Sequence, residues 1–200
     1  MYKVYGDYLS GNCYKVKLML HLLGKESKWV PVDILKGETQ TPEFLAMNPN
    51  GKIPVLQFED GSCLWESNAI LNFLADGTEF LPSEPRLRTQ VLQWQFFEQY
   101  SHEPYIAVAR FIKLYQGLPE ERRAEYEATR KGGYKALKVM EQQLKLTHYL
   151  VGDHYSIADI ALYAYTHVAH EGGFDLSAYP AVQAWLERVA SHPKHVGMLD

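Results

Sequence analysis

The feature of the sequence that most limits its fold is a change of character at residues 81–85. This segment, LPSEP, contains two prolines, and the long stretches after it have the three-to-four-residue apolar spacing of helices. Before it, short strand-like runs alternate with short helical runs. The sequence therefore predicts an α/β domain over residues 1–80, a linker over 81–85 and an all-helical domain over 86–200.

The first domain is predicted to have the element order β-α-β-α-β-β-α. Apolar residues between Tyr14 and Leu23, followed by Gly24, indicate the first helix. Asp60-Gly61 between two strand-like runs indicates a hairpin. The predicted strands are 2–5, 27–34, 53–59 and 62–65, and the two later helices are 41–47 and 67–76.

Charge and composition exclude several classes of function. Lys and Arg number 20 against 24 Asp and Glu, and no basic run exceeds two residues, so nucleic acid is not an expected partner. The apolar runs are far shorter than the roughly 20 residues of a membrane span, so no membrane partner is expected either. With only two cysteines and no signal-peptide pattern, the chain is expected to be soluble and cytoplasmic.

The loop Ser10-Gly11-Asn12-Cys13 lies between the first predicted strand and the first predicted helix. Ser10 or Asn12 can cap the helix. A helix N-terminus also stabilises an anion such as a thiolate, to which a hydroxyl or an amide can donate, so both interpretations stay open. Cys13 lacks a Cys-x-x-Cys partner because Ser10 occupies that position, which favours a small buried residue over a redox role.

Two further segments combine polar chemistry with the start of an element. In NPNGKIPVL, a cis Ile53-Pro54 bond would expose the backbone of Ile53 to an extended peptide, and an ordinary trans proline is the alternative. In ESNAIL, Glu66 could accept from an ammonium group and Ser67 could bind a carboxylate at the helix start. The alternative for the second segment is simple helix capping.

Taken together, the SGNC loop, the KIPVL stretch, the ESNAI segment and the helical half closely resemble the cytosolic glutathione transferase superfamily, of a serine-type, bacterial-like kind. The resemblance covers nearly the whole chain. It implies a thioredoxin-like domain followed by a helical bundle, a homodimer, and glutathione as co-substrate without a metal. It also implies that Ser156 and Asp159 form a capping box and do not catalyse.

The same resemblance implies roles for individual residues. Ser10 takes the place of the serine that hydrogen-bonds the glutathione thiolate, and Asn12 the place of an asparagine with that duty in some bacterial members. The backbone of Ile53 would pair with the cysteinyl unit of glutathione, and Glu66 and Ser67 would hold its γ-glutamyl end. The implied glutathione-binding residues are Lys52, Ile53, Pro54, Glu66 and Ser67.

Two positions depart from the family pattern. Thr39 stands where several serine-type classes have a histidine for the glycyl carboxylate, so that contact is expected to be weaker or to be supplied by Lys36 or Gln40. Tyr5 lies too early to be the catalytic tyrosine of the tyrosine-type classes.

The second substrate, a small hydrophobic electrophile, is expected against the helical half. Aromatic residues at helical spacing also build cores, which is the competing interpretation. The candidate pocket residues are Tyr105, Phe111, Tyr163 and His167. His167, His170 and Glu171 have no defined third ligand, so a solvated cluster is favoured over a metal site.

The predicted function is that of a glutathione transferase, which activates the glutathione thiol for attack on the electrophile. The alternative enzyme is a glutathione-dependent disulfide reductase or peroxidase. The presence of Asn12 is consistent with this alternative. A non-catalytic, transferase-like binding module is the third hypothesis. It is disfavoured by the joint presence of Ser10, Lys52, Pro54, Glu66 and Ser67.

Overall fold

The computed structural model describes all 200 residues, and the chain divides into two compact units. The first unit contains Met1–Gly77 together with Pro193–Asp200, and the second contains Thr78–His192. The first is α/β and the second is all-helical, as the sequence predicts. The helices are each too short or too polar to span a bilayer.

The first unit is built on a four-stranded mixed sheet with the strand order β2-β1-β3-β4. Strand β1 pairs in parallel with β2 and antiparallel with β3, and β3 pairs antiparallel with β4. The observed order of elements, β-α-β-α-β-β-α, is the predicted one. The bounds are β1 Tyr2–Gly6, α1 Gly11–Leu22, β2 Ser27–Pro31, α2 Pro42–Met47, β3 Val55–Gln57, β4 Cys63–Trp65 and α3 Ser67–Ala75, with a short 3-10 turn at Glu38–Gln40 before α2.

Both faces of this sheet are covered. Val4 and Leu56 are paired across β1 and β3, and both are fully buried. Their neighbours Tyr5 and Val55 point to the opposite face, where they pack with Phe44 of α2. Helices α1 and α3 pack against each other. Strand β2 is an edge strand and ends at Pro31, which has no N–H to donate to a neighbouring strand.

The start of α1 lies against the end of β1, at a distance that requires a glycine. A Cβ atom built on Gly6 would lie 2.7 Å from the Sγ of Cys13. Real side chains do not tolerate such a contact, so Gly6 and the small Cys13 together allow the helix to begin at the strand end. This approach positions Ser10, the N-cap of α1, and Asn12 in the first turn of the helix.

The last residues of the chain return to the first unit and contact α1. The Tyr14 hydroxyl donates to the carbonyl of Val196 at 2.7 Å, and Lys17 Nζ donates to the carbonyls of Met198 at 3.0 Å and Asp200 at 2.6 Å. The sequence places this segment in the helical domain over 86–200, and the structure differs. These bonds are accepted by backbone carbonyls, which every residue has, so no pattern of side chains in the sequence predicts them.

The second unit consists of five helices joined by shorter turns. They are α4 Pro85–Phe97, α5 Glu103–Arg110, α6 Arg123–Leu144, α7 Ile157–Thr166 and α8 Pro180–Ala190. The sequence predicts one helical stretch over 86–116, whereas the structure has π-helical turns at Glu98–His102 and Phe111–Tyr115. The first of these lies beside Pro104, which lacks the N–H that an unbroken α-helix would use.

A fully buried carboxylate ties α7 to its surroundings. Asp159 Oδ2 accepts from the N–H of Ser156 at 2.9 Å and from its hydroxyl at 3.1 Å. Its Oδ1 accepts from the N–H of Leu150 at 2.9 Å and from the indole N–H of Trp185, on α8, at 3.0 Å. Ser156 in turn accepts from the N–H of Ala158 at 3.3 Å. The structure therefore contains the predicted capping box.

We expect this carboxylate to make stability depend on pH. Burial raises the pKa of Asp159 to about 6, although the hydrogen bonds from its four donors act to lower it. The folded state then binds more protons than the unfolded state between about pH 4 and pH 6, so the contribution to stability falls as pH rises through that window. Relative to an Asp159→Asn variant, the free energy of unfolding of the wild type should fall by about 2 kcal/mol between pH 4 and pH 7.

Denaturant unfolding at a series of pH values measures this difference. The control is Asp153→Asn, because the pKa of the exposed Asp153 is lowered by its hydrogen bond with His148, which gives the opposite slope. A difference between wild type and Asp159→Asn that does not change with pH would contradict the assignment.

Candidate active site

Ser10 occupies the N-cap of α1. Its backbone is extended, with φ −77° and ψ 120°, and its Oγ accepts the N–H of Cys13 at 3.3 Å. A hydroxyl that accepts one hydrogen bond keeps its own proton as a donor. Capping of α1 and donation to an anion at the helix start are therefore compatible in this one side chain.

Cys13 is buried within the unit and is not poised for redox chemistry. Its side chain has no exposed surface. Burial is the main influence on the pKa of its thiol and raises it to about 12. A reactive cysteine needs a lowered pKa and access to solvent. The prediction that Cys13 is a small buried residue is confirmed.

The starts of α1 and α3 are joined by a three-residue polar cluster. Lys15, which is fully buried, donates from Nζ to Asn12 Oδ1 at 2.8 Å and to Ser67 Oγ at 3.3 Å. The Ser67 hydroxyl donates to the same Asn12 Oδ1 at 3.1 Å. The structure thus brings together Asn12 and Ser67, which are 55 residues apart in the sequence.

Glu66 is held in a backbone conformation that L-residues rarely adopt. Its φ is 68° and its ψ is 111°, immediately before α3, and its side chain makes no capping bond to that helix. Such a conformation costs about 1–3 kcal/mol and is typical of functional sites. The exposed Glu66 therefore presents a carboxylate beside the buried Ser67.

The loop before β3 is braced by an asparagine. The buried Asn48 donates from Nδ2 to the carbonyl of Lys52 at 2.6 Å and accepts the N–H of Asn50 on Oδ1 at 2.9 Å. The Ile53–Pro54 peptide bond is cis, which is one of the two forms that the sequence leaves open. The side chain of Lys52 is exposed next to this braced loop.

Two side chains that depart from the family pattern have partners within the unit. The Tyr5 hydroxyl donates to Gln57 Oε1 on the neighbouring strand at 3.2 Å. Thr39 is buried, and its Oγ1 accepts from Gln40 Nε2 at 3.2 Å. Gln40 also donates to the carbonyl of Gly51 at 3.2 Å, so its amide helps to brace the loop before β3.

In the second unit, two of the four candidate pocket residues lie together. The rings of Tyr163 and His167 are stacked, with centroids 4.7 Å apart and planes 2° apart. Burial raises the pKa of Tyr163 to about 12. Of the residues considered for a metal site, Glu171 forms an ion pair with the buried Arg110, and His167 Nδ1 lies 2.8 Å from the carbonyl of Tyr163.

The other two candidates have different partners. The ring of Tyr105 lies where a side chain on Gly132 of α6 would be, because a Cβ there would come within 2.3 Å of it. The ring of Phe111 stacks on Tyr115 at 5.1 Å. Tyr105 of α5 therefore packs over Gly132 of α6, whereas Phe111 stacks on a residue of its own helical turn.

Comparison with known proteins decides the family. Residues 9–76 match the N-terminal domain of glutathione S-transferases and residues 94–193 match their C-terminal domain. The chain belongs to the glutathione transferase superfamily. A crystal structure of a glutathione S-transferase from Pseudomonas fluorescens [Pf-5] is 79% identical, with a TM-score of 0.98 over 100% of this chain and 99% of that one.

Two more distant relatives indicate the range of the family. A glutathione transferase from Burkholderia graminis, solved with two glutathione molecules per subunit, is 29% identical, with a TM-score of 0.85 over 100% of this chain and 87% of that one. A disulfide-bond oxidoreductase, YfcG of Escherichia coli (strain K12), is 33% identical over 91% of this chain and 87% of its own length. Family membership supports a glutathione-dependent transferase activity and a thioredoxin-like first unit.

Two residues that shape the candidate site, Lys15 and Asn48, are not among the residues that the sequence predicts. Lys15 lies one helical turn after Asn12, and residues three apart on a helix are neighbours, so the spacing could have indicated their contact. Nothing in the sequence indicates that Lys15 is completely buried, because lysine is normally exposed. Asn48 lies in the NPNGKIPVL segment, and asparagine bonding to the backbone two residues on is a recognised turn pattern.

The burial of Cys13 predicts that the two thiols react differently. In the native protein we expect only Cys63, which is half-buried at the hairpin, to react with Ellman's reagent at pH 8. Cys13 should react only after denaturation, because its thiolate is scarcely populated at that pH. A Cys63→Ser variant isolates Cys13 as the control, and its rapid reaction in the native state would contradict the structure.

Proposed function

We propose that this glutathione transferase binds glutathione in its first unit, lowers the pKa of the thiol at the start of α1, and directs the thiolate at a small hydrophobic electrophile. The observation that carries the proposal is the hydrogen bond from Ser67 Oγ to Asn12 Oδ1. It ties the start of α3, assigned to the γ-glutamyl end, to the start of α1, assigned to the thiol. One tripeptide can therefore contact both helix starts.

The binding roles follow from the chemistry of each group. Ser67, with the N–H groups at the start of α3, would hold the γ-glutamyl carboxylate, and Glu66 would accept from its ammonium. The backbone of Ile53, beside Pro54, would pair with the cysteinyl unit. Lys52 would attract an acidic group of the tripeptide from the loop that Asn48 braces.

Thiol activation needs only a modest energy. The helix start and the Ser10 hydroxyl both favour the anion, and a hydrogen bond to a charged group contributes about 1.5–3 kcal/mol, which corresponds to one or two pKa units. The thiol proton leaves to solvent, and the thiolate forms a carbon–sulfur bond to the electrophile. With an aryl halide, the halide ion leaves with the electron pair of the bond that breaks.

The role of Ser10 is tested by separating thiol activation from helix capping. In Ser10→Ala, we expect the pKa of bound glutathione to rise by about one unit or more and the rate with an activated aryl halide to fall, with little change in glutathione affinity. Thiolate absorbance against pH measures the pKa. The matched control is Thr41→Ala, which removes the equivalent cap of α2, a bond from the Phe44 N–H at 3.2 Å, and should leave the thiol pKa unchanged.

A second candidate function is glutathione-dependent disulfide reduction or peroxide reduction. It is favoured by the 33% identity to a disulfide-bond oxidoreductase and by the position of Asn12 at the start of α1. In the same experiment, Asn12→Ala should affect aryl-halide turnover less than Ser10→Ala. If Asn12→Ala abolishes activity while Ser10→Ala stays near wild type, and a glutathionylated substrate is reduced, this second function replaces the first.

The assignment of the γ-glutamyl end predicts where binding energy lies. Ser67→Ala should weaken glutathione binding by about 1–3 kcal/mol, because it removes a hydrogen bond to a charged group. Glu66→Gln should also weaken binding, because it removes the negative charge that faces the ammonium group of glutathione. Isothermal titration calorimetry measures both, with Ser62→Ala as a control, because the Ser62 hydroxyl donates to Asp60 in the hairpin turn. Unchanged affinity in both Glu66→Gln and Ser67→Ala would remove the assignment.

The family resemblance also leads us to propose a cytoplasmic homodimer. Sedimentation at micromolar concentration should give a mass near twice the 23.0 kDa of one chain. A mass near that of one chain would contradict the dimer. A non-catalytic binding module would bind glutathione without lowering its thiol pKa, so the thiolate titration also separates this third hypothesis from an enzyme.

A further inference from the structure

Two aromatic side chains of the first unit stack on each other beside the start of α1, and the proposed function uses neither of them. The ring of Tyr8 lies on the ring of Trp29, with centroids 5.1 Å apart and planes 26° apart. Tyr8 belongs to the turn before Ser10, and Trp29 belongs to the edge strand β2. Two separate parts of the chain therefore meet in this stack.

The turn that carries Tyr8 is fixed by hydrogen bonds to Asp7. The Asp7 carbonyl accepts the N–H of Ser10 at 3.1 Å, and Asp7 Oδ1 accepts the N–H of Leu9 at 2.7 Å. Tyr8 and Leu9 thus occupy the central positions of a β-turn that ends at the N-cap of α1. Because Tyr8 is two residues before Ser10, at most about 7 Å separates their Cα atoms. Tyr8 is therefore held close to the hydroxyl that is proposed to face the thiolate.

Trp29 is placed by the same close approach that positions α1. A Cβ atom built on Gly6 would lie 3.2 Å from Cζ2 of Trp29 and 2.7 Å from Sγ of Cys13. The indole ring therefore lies beside the first turn of α1. Its N–H is buried and has no hydrogen-bond partner, which is costly and rare in folded proteins. The packing of the ring, rather than its polar atom, therefore explains its position.

The stack supports the Tyr8 ring and leaves much of it accessible. Trp29 covers one face of this ring, and 48% of Tyr8 stays exposed. A flat ring that is supported on one side offers an apolar surface to a second ring, and offset or edge contacts between aromatic rings are favourable. Tyrosine has few rotatable bonds, so such a contact costs little conformational entropy. The exposed surface of Tyr8 is therefore suited to a flat, aromatic electrophile.

We propose that Tyr8 is a specificity-determining residue, which stacks on the electrophile beside the thiolate and favours aromatic over aliphatic substrates. Trp29 holds the Tyr8 ring in place and acts only through it. The proposal rests on the proposed function, because that function places the thiolate at Ser10. It adds the class of electrophile that the first unit prefers.

The test compares Tyr8→Leu with Tyr8→Phe, using an activated aryl halide and iodomethane as the two electrophiles. We expect Tyr8→Leu to raise the KM for the aryl halide about two- to tenfold, which is the range that aromatic contacts contribute. The kcat should change little, because the contact is made before the reaction as well as in the transition state. The kinetic constants for iodomethane, the affinity for glutathione and the pKa of its bound thiol should stay unchanged. Tyr8→Phe keeps the ring and should behave as the wild type.

Phe73→Leu is the matched control. Phe73 is 46% exposed, and its ring contacts that of Phe58 with centroids 5.1 Å apart. It therefore resembles Tyr8 in exposure and in having an aromatic partner. It lies in the last turn of α3, whereas the γ-glutamyl end of glutathione is assigned to the start of that helix. Phe73→Leu should leave the KM for both electrophiles unchanged.

The role of Trp29 is tested by a double variant. Trp29→Leu should raise the KM for the aryl halide, and adding Trp29→Leu to Tyr8→Leu should raise it no further, because the two residues act as one unit. If Trp29→Leu does not fold, the larger Trp29→Met gives the same comparison. The proposal is overturned by full additivity, by an equal rise in the KM for iodomethane, or by a Tyr8→Phe variant that loses as much as Tyr8→Leu.

The same measurements separate this proposal from the proposed function. If the wild type binds glutathione without lowering its thiol pKa, or turns over neither electrophile, then the proposed function fails and the role of Tyr8 fails with it. If the wild type is active and Tyr8→Leu keeps the wild-type KM for the aryl halide, only the role of Tyr8 is lost. A wild type that turns over iodomethane and not the aryl halide has the same meaning.

Discussion

A buried ammonium group is the constraint on which the first unit depends. Lys15 has no exposed surface, and a buried charge is tolerated only where hydrogen-bond acceptors replace its water. Two of those acceptors, Asn12 and Ser67, come from the starts of two different helices. The packing of α1 on α3 therefore has to bring these helix starts together, and the glutathione site proposed here lies where they meet.

The approach of α1 to the sheet meets a second, steric requirement. Gly6 and Cys13 lie so close that neither a larger residue at the strand end nor a larger one in the first turn of the helix would fit without movement. Cys13 therefore fills space, and its buried thiol has a raised pKa. The reactive sulfur of the proposed reaction belongs to the substrate rather than to the protein.

The two units use helix capping in different ways. At α7, the carboxylate of Asp159 is buried and four donors point at it, which leaves the motif a structural role. At α1, Ser10 is only partly buried, and its hydroxyl retains a donor after it has capped the helix. Burial and the number of partners, rather than residue type, distinguish a capping residue from a candidate catalytic one.

The sequence by itself determined the order of elements, the division between an α/β part and a helical part, the capping box at Ser156 and the segments that identify the family. These features depend on local periodicity, turn residues and helix caps, which can be identified in short stretches of sequence without knowledge of the tertiary structure. The tertiary structure alone decided four features: the burial of Lys15, its contact with Ser67, the return of residues 193–200 to α1, and the packing of Tyr105 over Gly132. Each depends on contacts between residues distant in the sequence, on backbone groups common to all residues, or on the choice among several apolar faces, and none of these leaves a local pattern.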